Sequence, residues 1–297
     1  MELRVLRYFL AVAREGSITG AANVLNVTQP TLSRQIKELE QELGQQLLIR
    51  GSHNVSLTAE GMILRKRAEE IVEMVSKTKA ELRSAEDTIG GDIYIGGGET
   101  EGMRLIAETI KELQSQYPQI RCHLYSGNAE DVTERLDKGL LDFGILIQPT
   151  DLSKYDFLSL PVKDVWGAIM PKSCPLTQKK AVTRQDLVKL PLICSRQVLQ
   201  QTAIHNEFAA WFGKDFAALN IVATYNLVFN AALLAEQGVG YVLSLDKLID
   251  TRNSARLCFR PFEPALESGL DIVWKKYQIF SPAARIFLEK LQNKLKA

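Results

Sequence analysis

The sequence predicts an α/β protein in two parts: a small N-terminal module of three helices and a β-hairpin, then a long helix leading into a larger α/β domain. Three observations predict this. Apolar residues recur at helical spacing through the first 44 residues, no glycine or proline interrupts residues 62–89, and short apolar strands alternate with helices from residue 90 onward. The length of 297 residues fits about two domains.

Composition and charge restrict the class of protein. Hydrophobic residues make up 46% of the chain, which is too apolar for a disordered protein. The 36 Lys and Arg against 35 Asp and Glu give a net charge of +1, so nucleic acid can bind only at a local surface. The apolar run from Tyr8 to Ala13 is too short for a transmembrane helix or a signal peptide. We therefore expect a cytoplasmic protein that binds no membrane.

The cysteines and histidines show no metal-binding or catalytic pattern. The cysteines form no C-x-x-C pair, the three histidines lack H-E-x-x-H spacing, and no nucleophile, base and orienting group are recognisable together. We expect no metal, no cofactor and no enzyme activity. Buried free thiols are the favoured interpretation of the four cysteines, Cys122, Cys174, Cys194 and Cys258.

The first 57 residues predict short helices closed by a hairpin. Ser17 and Thr28 are candidate N-caps of the second and third helices, and Asn26 between them tolerates a left-handed backbone. Pro30 fits the first turn of the third helix, which runs to about Gly44. The predicted apolar faces are Leu3, Leu6, Leu10 and Ala13 on the first helix and Leu32, Ile36, Leu39 and Leu43 on the third.

The sequence predicts two helices separated by a short break, with the small Ala22 before the break. This arrangement is typical of a helix-turn-helix. Leu47–Arg50 and Val55–Leu57 predict the hairpin that makes it a winged helix-turn-helix. An ordinary amphipathic helix pair is the alternative for the third helix alone, but the break and the wing favour DNA binding. The third helix would then enter the major groove with its outward face, Pro30, Ser33, Arg34 and Lys37.

One long helix is predicted from Thr58 to Ile89. Apolar residues recur on it in alternating steps of four and three, interrupted by Thr78, which suits a coiled coil between two chains. A helix packed on its own domain is the alternative. The residues expected at a dimer interface are Leu64, Ala68, Ile71, Val75 and Leu82, and the same stripe continues to Ala85 and Ile89.

From residue 90 the alternation of strands and helices predicts βαβ units with mostly parallel sheets, arranged in two lobes. Such sheets bind ligands at the carboxyl ends of their strands. Residues 96–102 form a glycine-rich turn after the first strand, which is either a ligand site or a tight turn and is no dinucleotide fingerprint. The predicted strands are 93–95, 120–125, 143–147, 169–170, 192–194, 221–225, 239–243 and 270–274, and the predicted helices are 102–117, 128–139, 200–212, 227–237 and 282–295.

The N-terminal residues resemble the LysR-type transcriptional regulators. The resemblance rests on about the first 61 residues and is weaker beyond them. It is carried by Ala21-Ala22, Leu25, the run Val27-Thr28-Gln29-Pro30-Thr31-Leu32-Ser33, Ile36, Leu39-Glu40, Leu43-Gly44, Leu47, Arg50, Leu57-Thr58 and Gly61.

The resemblance implies a sequence-specific DNA-binding transcriptional regulator controlled by a small-molecule effector. It implies a winged helix-turn-helix over residues 1–58, a linker helix over 59–89, and an effector-binding domain over 90–297 with the fold of type 2 periplasmic binding proteins. In that fold, lobe I would comprise about 90–161 and 267–297 and lobe II about 162–266, with crossings near Leu160–Val162 and Pro264–Ser268. The implied partners are an inverted-repeat operator in double-stranded DNA, further copies of the chain in a homodimer or homotetramer, and RNA polymerase as a candidate.

The resemblance also assigns site residues. The expected DNA contacts are Ser17, Thr28, Gln29, Pro30, Thr31, Ser33, Arg34, Lys37, Arg50 and His53. The expected effector contacts are Gly98, Glu99, Thr100, Glu101, Ile147, Gln148, Ser195, Arg196, Gln197, Thr224 and Asn226. The sequence departs from the family in its wing, which carries a neutral histidine where a basic residue is common, and in Leu48, which replaces a phenylalanine.

The charge of the effector stays open at this point. The resemblance favours a small anionic metabolite, and Arg196 can pair with a carboxylate. Glu99 and Glu101 would instead favour an amine or an amino acid if both point into the cleft. An effector that carries a carboxylate is the expectation. A solute-binding protein or enzyme built on the same lobes is the competing class, and the missing export signal argues against the former.

Overall fold

The computed structural model describes residues 1–51, 54–83, 90–200 and 206–296. The chain divides into two compact units, Met1–Arg83 and Ser84–Ala297. The elements of the first unit are α1 (Leu3–Glu15), α2 (Ile18–Leu25), α3 (Gln29–Leu43), β1 (Leu48–Arg50), β2 (Val55–Leu57) and α4 (Ala59–Arg83).

The predicted turn between α2 and α3 is confirmed. The Ser17 hydroxyl accepts a hydrogen bond from the backbone N–H of Gly20 at 3.2 Å, and the Thr28 hydroxyl accepts one from the N–H of Thr31 at 3.4 Å. Asn26 adopts the left-handed conformation with φ of 54°. Asn26 ends α2 and the Thr28 cap begins α3 two residues later, so the chain turns between the two helices.

The core of the first unit corrects two predicted faces. Leu32, Ile36 and Leu39 are buried on α3 as predicted, but Leu43 is 39% exposed because α3 ends there and the following residues 44–46 are exposed. On α1 the fully packed residues include Phe9 and not Leu10, since α1 contacts α2, α3 and α4 at once. The buried residues of α1 are Val5, Leu6, Phe9, Ala11 and Val12.

The wing is fastened to its neighbours by named contacts. A carboxylate oxygen of Glu40 accepts from the N–H groups of Leu47 at 2.9 Å and Leu48 at 3.1 Å. The Thr58 hydroxyl caps α4 by accepting from Gly61 N–H at 2.9 Å. A Cβ at Gly61 would lie 2.2 Å from the Leu47 carbonyl oxygen, so only glycine fits this close approach.

Helix α4 packs on its own unit at its start and exposes apolar residues further on. Leu64 packs against the core of the first unit and Ala68 is buried. Ile71 is 38% exposed and Val75 is half-buried. The side chain of Leu82 and the residues Ala85 and Ile89 lie outside the described part of the chain.

The second unit is a mixed α/β domain. Its helices are α5 (Met103–Gln116), α6 (Ala129–Asp137), α7 (Arg184–Leu187), α8 (Arg196–Gln200), α9 (Glu207–Phe212), α10 (Val228–Glu236) and α11 (Pro282–Lys296). Its strands are β3 (Gly91–Gly97), β4 (Ile120–Ser126), β5 (Phe143–Ile147), β6 (Tyr155–Pro171), β7 (Val182–Thr183), β8 (Leu192–Ser195), β9 (Ile221–Tyr225), β10 (Tyr241–Leu245), β11 (Leu257–Glu263) and β12 (Glu267–Lys275).

The strand order β4-β3-β5-β12-β6-β10-β8-β9 forms two groups joined through β6. We refer to the group around β3 and β5 as lobe I and to the group around β8 and β10 as lobe II. β6 pairs with β12 as far as Val165 and with β10 from Trp166, so the chain changes lobe inside one long strand. It returns between β11 and β12. The first change falls a few residues after the predicted Leu160–Val162.

The predicted parallel pairing is found around β3 and β8, which pair parallel with their neighbours, while β6 and β12 pair antiparallel with each other and with theirs. Two sequence-based predictions for this unit are wrong in detail. The predicted strand at 169–170 is the end of the long β6, and β11 was not predicted. The helix predicted over 200–212 is replaced by α8 and α9, with residues 201–205 outside the described ranges.

Candidate functional site

The outward face of α3 is a solvent-exposed surface of the kind that can contact DNA. Pro30, Arg34 and Lys37 are exposed and Ser33 is half-buried. The side chain of Arg34 is 71% exposed and its Nε lies 3.7 Å from a carboxylate oxygen of Glu38, one turn further along. An exposed pair of this type contributes about 0.3–0.5 kcal/mol, so Arg34 can leave it for a nucleic-acid ligand.

Charge is distributed unevenly along α3. Its cations, Arg34 and Lys37, lie within the first nine of its 15 residues, and Glu38, Glu40 and Glu42 lie within the last six. The N-terminal half of a recognition helix is the part that contacts base edges. The favourable charge therefore lies where the helix would meet DNA.

The remaining predicted DNA contacts lie at the two helix caps, at the start of α3 and on the wing. Gln29 and Thr31 are exposed at the start of α3, and Ser17 and Thr28 cap α2 and α3 with their hydroxyls. Arg50 at the end of β1 pairs with Glu40 at 3.4 Å. His53 lies outside the described residues.

A cavity of about 70 Å³ lies between the two lobes, where the parallel strands end. The cavity is lined by residues at or just after the carboxyl ends of β3, β5, β8 and β9, as expected for ligand sites of α/β sheets. Its walls are Gly98, Glu99, Gly127, Asn128, Ile147, Gln148, Pro149, Trp166, Ser195, Gln197, Val198, Glu207, Phe208, Tyr225, Asn226, Val228, Ser244, Leu245, Leu248, Leu266 and Ser268.

The structure brings most of the predicted effector residues to this cavity. Those in its walls are Gly98, Glu99, Ile147, Gln148, Ser195, Gln197 and Asn226. The other four, Thr100, Glu101, Arg196 and Thr224, lie outside the cavity walls.

Each of those four residues faces another direction. Glu101 pairs with Arg104 on the next helical turn, and Arg196 is exposed at the start of α8. Thr224 is exposed while its neighbour Tyr225 lines the cavity, because successive side chains of a strand point to opposite faces.

Thr100 is buried beside Asp164 on β6. Its hydroxyl donates to a carboxylate oxygen of Asp164 and accepts from the N–H of Gly102 at 3.0 Å. Burial is the largest influence on Asp164 and raises the pKa of its carboxyl, which the Thr100 hydrogen bond partly offsets. The Thr100 hydroxyl thus binds a residue of β6, the strand in which the chain passes from lobe I to lobe II. The glycine-rich sequence did not indicate this role.

Two hydrogen bonds join lobe I to lobe II near the cavity. A carboxylate oxygen of Glu99 in lobe I accepts from the N–H of Val228 at 2.5 Å, at the first residue of α10. The amide oxygen of Gln197 in lobe II accepts from the N–H of Ala129 at 3.4 Å, at the first residue of α6. Each lobe therefore caps a helix of the other.

Two aromatic residues of the cavity, Trp166 and Phe208, were not predicted as effector contacts. Trp166, Phe208 and Tyr225 line it, and the Trp166 N–H donates to the Ser268 hydroxyl at 2.9 Å. The rule that ligands meet strand ends would have found Ser244 on β10. Trp166 lies inside β6, whose full length no periodicity revealed.

The described residues show no group of three or more His, Cys, Asp or Glu side chains that could hold a metal ion. The four cysteines are free thiols, three of them buried, as predicted. Burial raises the pKa of Cys194 to about 12 and of Cys122 to about 11, so both stay protonated at neutral pH. Within the described ranges no helix is both long and apolar enough to cross a membrane.

Both units match known protein families. The model of the bacterial regulatory helix-turn-helix protein, lysR family, matches residues 3–62, and that of the LysR substrate binding domain matches residues 86–296. The chain is 29% identical to the Hca operon transcriptional activator HcaR of Escherichia coli (strain K12), with 99% of this chain and 98% of that protein covered. It is 34% identical to the regulator AlsR of Bacillus subtilis (strain 168), over 65% and 64% of the two chains.

Solved structures share the fold. The LysR family regulator CbnR has a TM-score of 0.76 at 19% identity, with both chains covered in full (100%). CbnR in complex with its target DNA has a TM-score of 0.73 at 19% identity, with 99% of each chain covered.

The winged helix-turn-helix, the ligand cavity between α/β lobes and these relatives define a DNA-binding transcriptional regulator with an effector domain, and not an enzyme. The chain belongs to the lysR family of bacterial regulatory helix-turn-helix proteins.

Proposed function

We propose that this regulator binds an inverted-repeat operator as a homodimer, with α3 in the major groove, and that a small molecule in the interlobe cavity changes its DNA binding. The observation that carries the proposal is the outward face of α3, on which Arg34 and Lys37 are exposed. An arginine in this position can contact guanine with two hydrogen bonds and discriminate bases by about 1–3 kcal/mol.

The DNA-bound CbnR structure supports this part of the proposal. That protein shares the fold of the whole chain and is complexed with its target DNA. In the chain described here the caps Ser17 and Thr28 sit at the starts of two helices, where hydroxyls and N–H groups can also contact phosphate. Arg50 adds a cation at the wing.

The apolar residues of α4 support a dimer. Ile71 is exposed and Val75 half-buried on a helix whose start already packs on its own unit. Covering this stripe with the same helix of a second copy would bury apolar surface and pair two recognition helices for two half-sites. A homotetramer and a contact with RNA polymerase remain predictions of the family resemblance. The proposal includes a cytoplasmic location, because a regulator must share a compartment with its operator.

Gel shifts with genomic fragments and with random duplexes, each at several salt concentrations, test the proposal. Arg34→Ala should weaken binding to the selected fragment by about 1–3 kcal/mol and spare binding to random DNA, if the side chain reads bases. Equal losses of affinity for the two duplexes would show that Arg34 contacts the phosphate backbone and not the bases.

Arg104→Ala is the matched control, since it removes an exposed arginine from the other unit. It should bind both duplexes like the wild type. A wild-type protein that prefers no genomic fragment over random DNA at any salt concentration would refute the proposal.

A further inference from the structure

The interlobe cavity has a one-sided charge. Glu99 and Glu207 line it, and no Lys, Arg or His occurs among its described wall residues. Arg196, the cation expected to hold a carboxylate, is exposed outside the walls. Glu207 is exposed and therefore well screened, so Glu99 dominates the field inside.

Glu99 is held in place by its bond to α10. The residue before this helix is Leu227, whose side chain cannot accept a hydrogen bond, so the carboxylate from the opposite lobe caps the N–H of Val228. A helix N-terminus carries about half a positive elementary charge, which attracts the carboxylate. That offsets about half of the charge of Glu99 and leaves the cavity negative.

The surroundings of Glu99 strengthen its field. Trp166, Phe208 and Tyr225 line the same cavity, and apolar walls screen a charge less than water does. Burial raises the pKa of Tyr225, and the nearby Glu99 carboxylate adds to the effect.

An anionic ligand would meet two obstacles here. The N–H at the start of α10, which could bind a carboxylate, is already occupied by Glu99. A ligand carboxylate would have to displace Glu99 or lie beside it, with no described cation in the walls to balance the two charges. A ligand ammonium group meets neither obstacle, because it can donate hydrogen bonds to the Glu99 carboxylate.

We propose that the cavity selects effectors that carry an ammonium group and that Glu99 determines this selectivity. The inference rests on the proposed function, because it assigns the effector class of the same cavity, and it replaces the carboxylate expected from the family resemblance. The Glu99 carboxylate would then bind the effector and the start of α10 together.

Thermal shift and calorimetry on the full-length protein test this with probes matched in carbon skeleton. The probes are butylamine and phenylethylamine, each compared with the alcohol and the carboxylate of the same skeleton. At least one amine should bind about tenfold or more tightly than its matched alcohol, as a charge-assisted hydrogen bond implies, and the carboxylates should bind most weakly.

Glu99→Gln and Glu101→Gln form the matched pair of variants. Glu99→Gln keeps an oxygen that can accept from Val228 and removes the charge, so the preference for amines should disappear. Glu101→Gln removes a neighbouring carboxylate that pairs with Arg104 outside the cavity, so the preference should persist. Glu99→Asp keeps the charge and should still prefer amines. It is the control that distinguishes loss of the charge from a folding defect caused by substitution at this position.

Tighter binding of a carboxylate than of its amine, an unchanged amine preference in Glu99→Gln, or binding of none of the probes would each overturn the inference. Gel shifts on the same samples separate this failure from failure of the proposed function. If the wild type still selects a genomic fragment, the DNA-binding proposal stands and only the effector class is wrong.

Discussion

Replacing Thr100 by Val tests whether the hydrogen bond of the Thr100 hydroxyl to Asp164 stabilises β6, the strand that connects the two lobes. Thr100 is 7% exposed and Asp164 is 5% exposed, so water cannot replace the lost hydrogen bonds easily. Val keeps the branched shape and replaces the hydroxyl with a methyl group. The variant should be less stable than the wild type and should still bind DNA.

The size of the effect comes from the two bonds that are lost. The hydrogen bond to the Asp164 carboxylate contributes about 1.5–3 kcal/mol to stability. Leaving the buried N–H of Gly102 without an acceptor adds a cost of about 1 kcal/mol. We therefore expect destabilisation of about 2.5–4 kcal/mol. For a domain of this size that corresponds to a fall in Tm of roughly 5–16 °C.

The cost should depend on pH. The folded pKa of Asp164 is raised above its ordinary value of 3.8, so the stability linked to its protonated form is present below that value and is lost as pH rises through the folded pKa. Thr100→Val removes a hydrogen bond that lowers this pKa, so the folded pKa rises further. The destabilisation should therefore be larger at pH 7 than near pH 4.

Thermal unfolding followed by circular dichroism at several pH values measures both effects. Thr109→Val is the matched control, because Thr109 is also buried but donates to the carbonyl of Leu105 within its own helix. It should cost less than about 1 kcal/mol and show no pH dependence of this kind. A Thr100→Val protein as stable as Thr109→Val at pH 7 would refute the reasoning.

Three further substitutions test the first unit. Val75→Asp puts an unpaired charge in the stripe of α4, so light scattering should show loss of the dimer, and a wild-type mass would exclude that interface. Glu40→Ala leaves the N–H groups of Leu47 and Leu48 without their carboxylate and should cost about 1–3 kcal/mol in urea unfolding, whereas the exposed Glu38→Ala should cost less than about 0.5. Gly61→Ala should destabilise by about 1–3 kcal/mol through its clash with the Leu47 carbonyl, and an unchanged Tm would contradict that contact.

Local signals in the sequence were sufficient for most elements of the first unit. The N-caps Ser17 and Thr28 and the left-handed Asn26 act through groups only a few residues away, so they can be recognised without knowing the fold. The predicted α3 face was wrong only at Leu43, where burial depends on the path of the chain after the helix ends. The family resemblance placed Glu99, Gln148 and Ser195 at the cavity, and the reason they meet there is that parallel strands end on the same edge of a sheet.

The class of this protein can be recognised from its amino-acid sequence alone, as a winged helix-turn-helix, a long helix and a ligand-binding α/β domain, since caps, periodicity and motif spacing are properties of short segments. The roles of the side chains in the glycine-rich turn depend on the folded chain. Glu99 reaches α10, 129 residues away along the chain, while Thr100 turns to Asp164, 64 residues away. Adjacent residues on one turn point in different directions, and their partners come from distant elements, so the charge of the cavity became visible only when the two lobes were brought together.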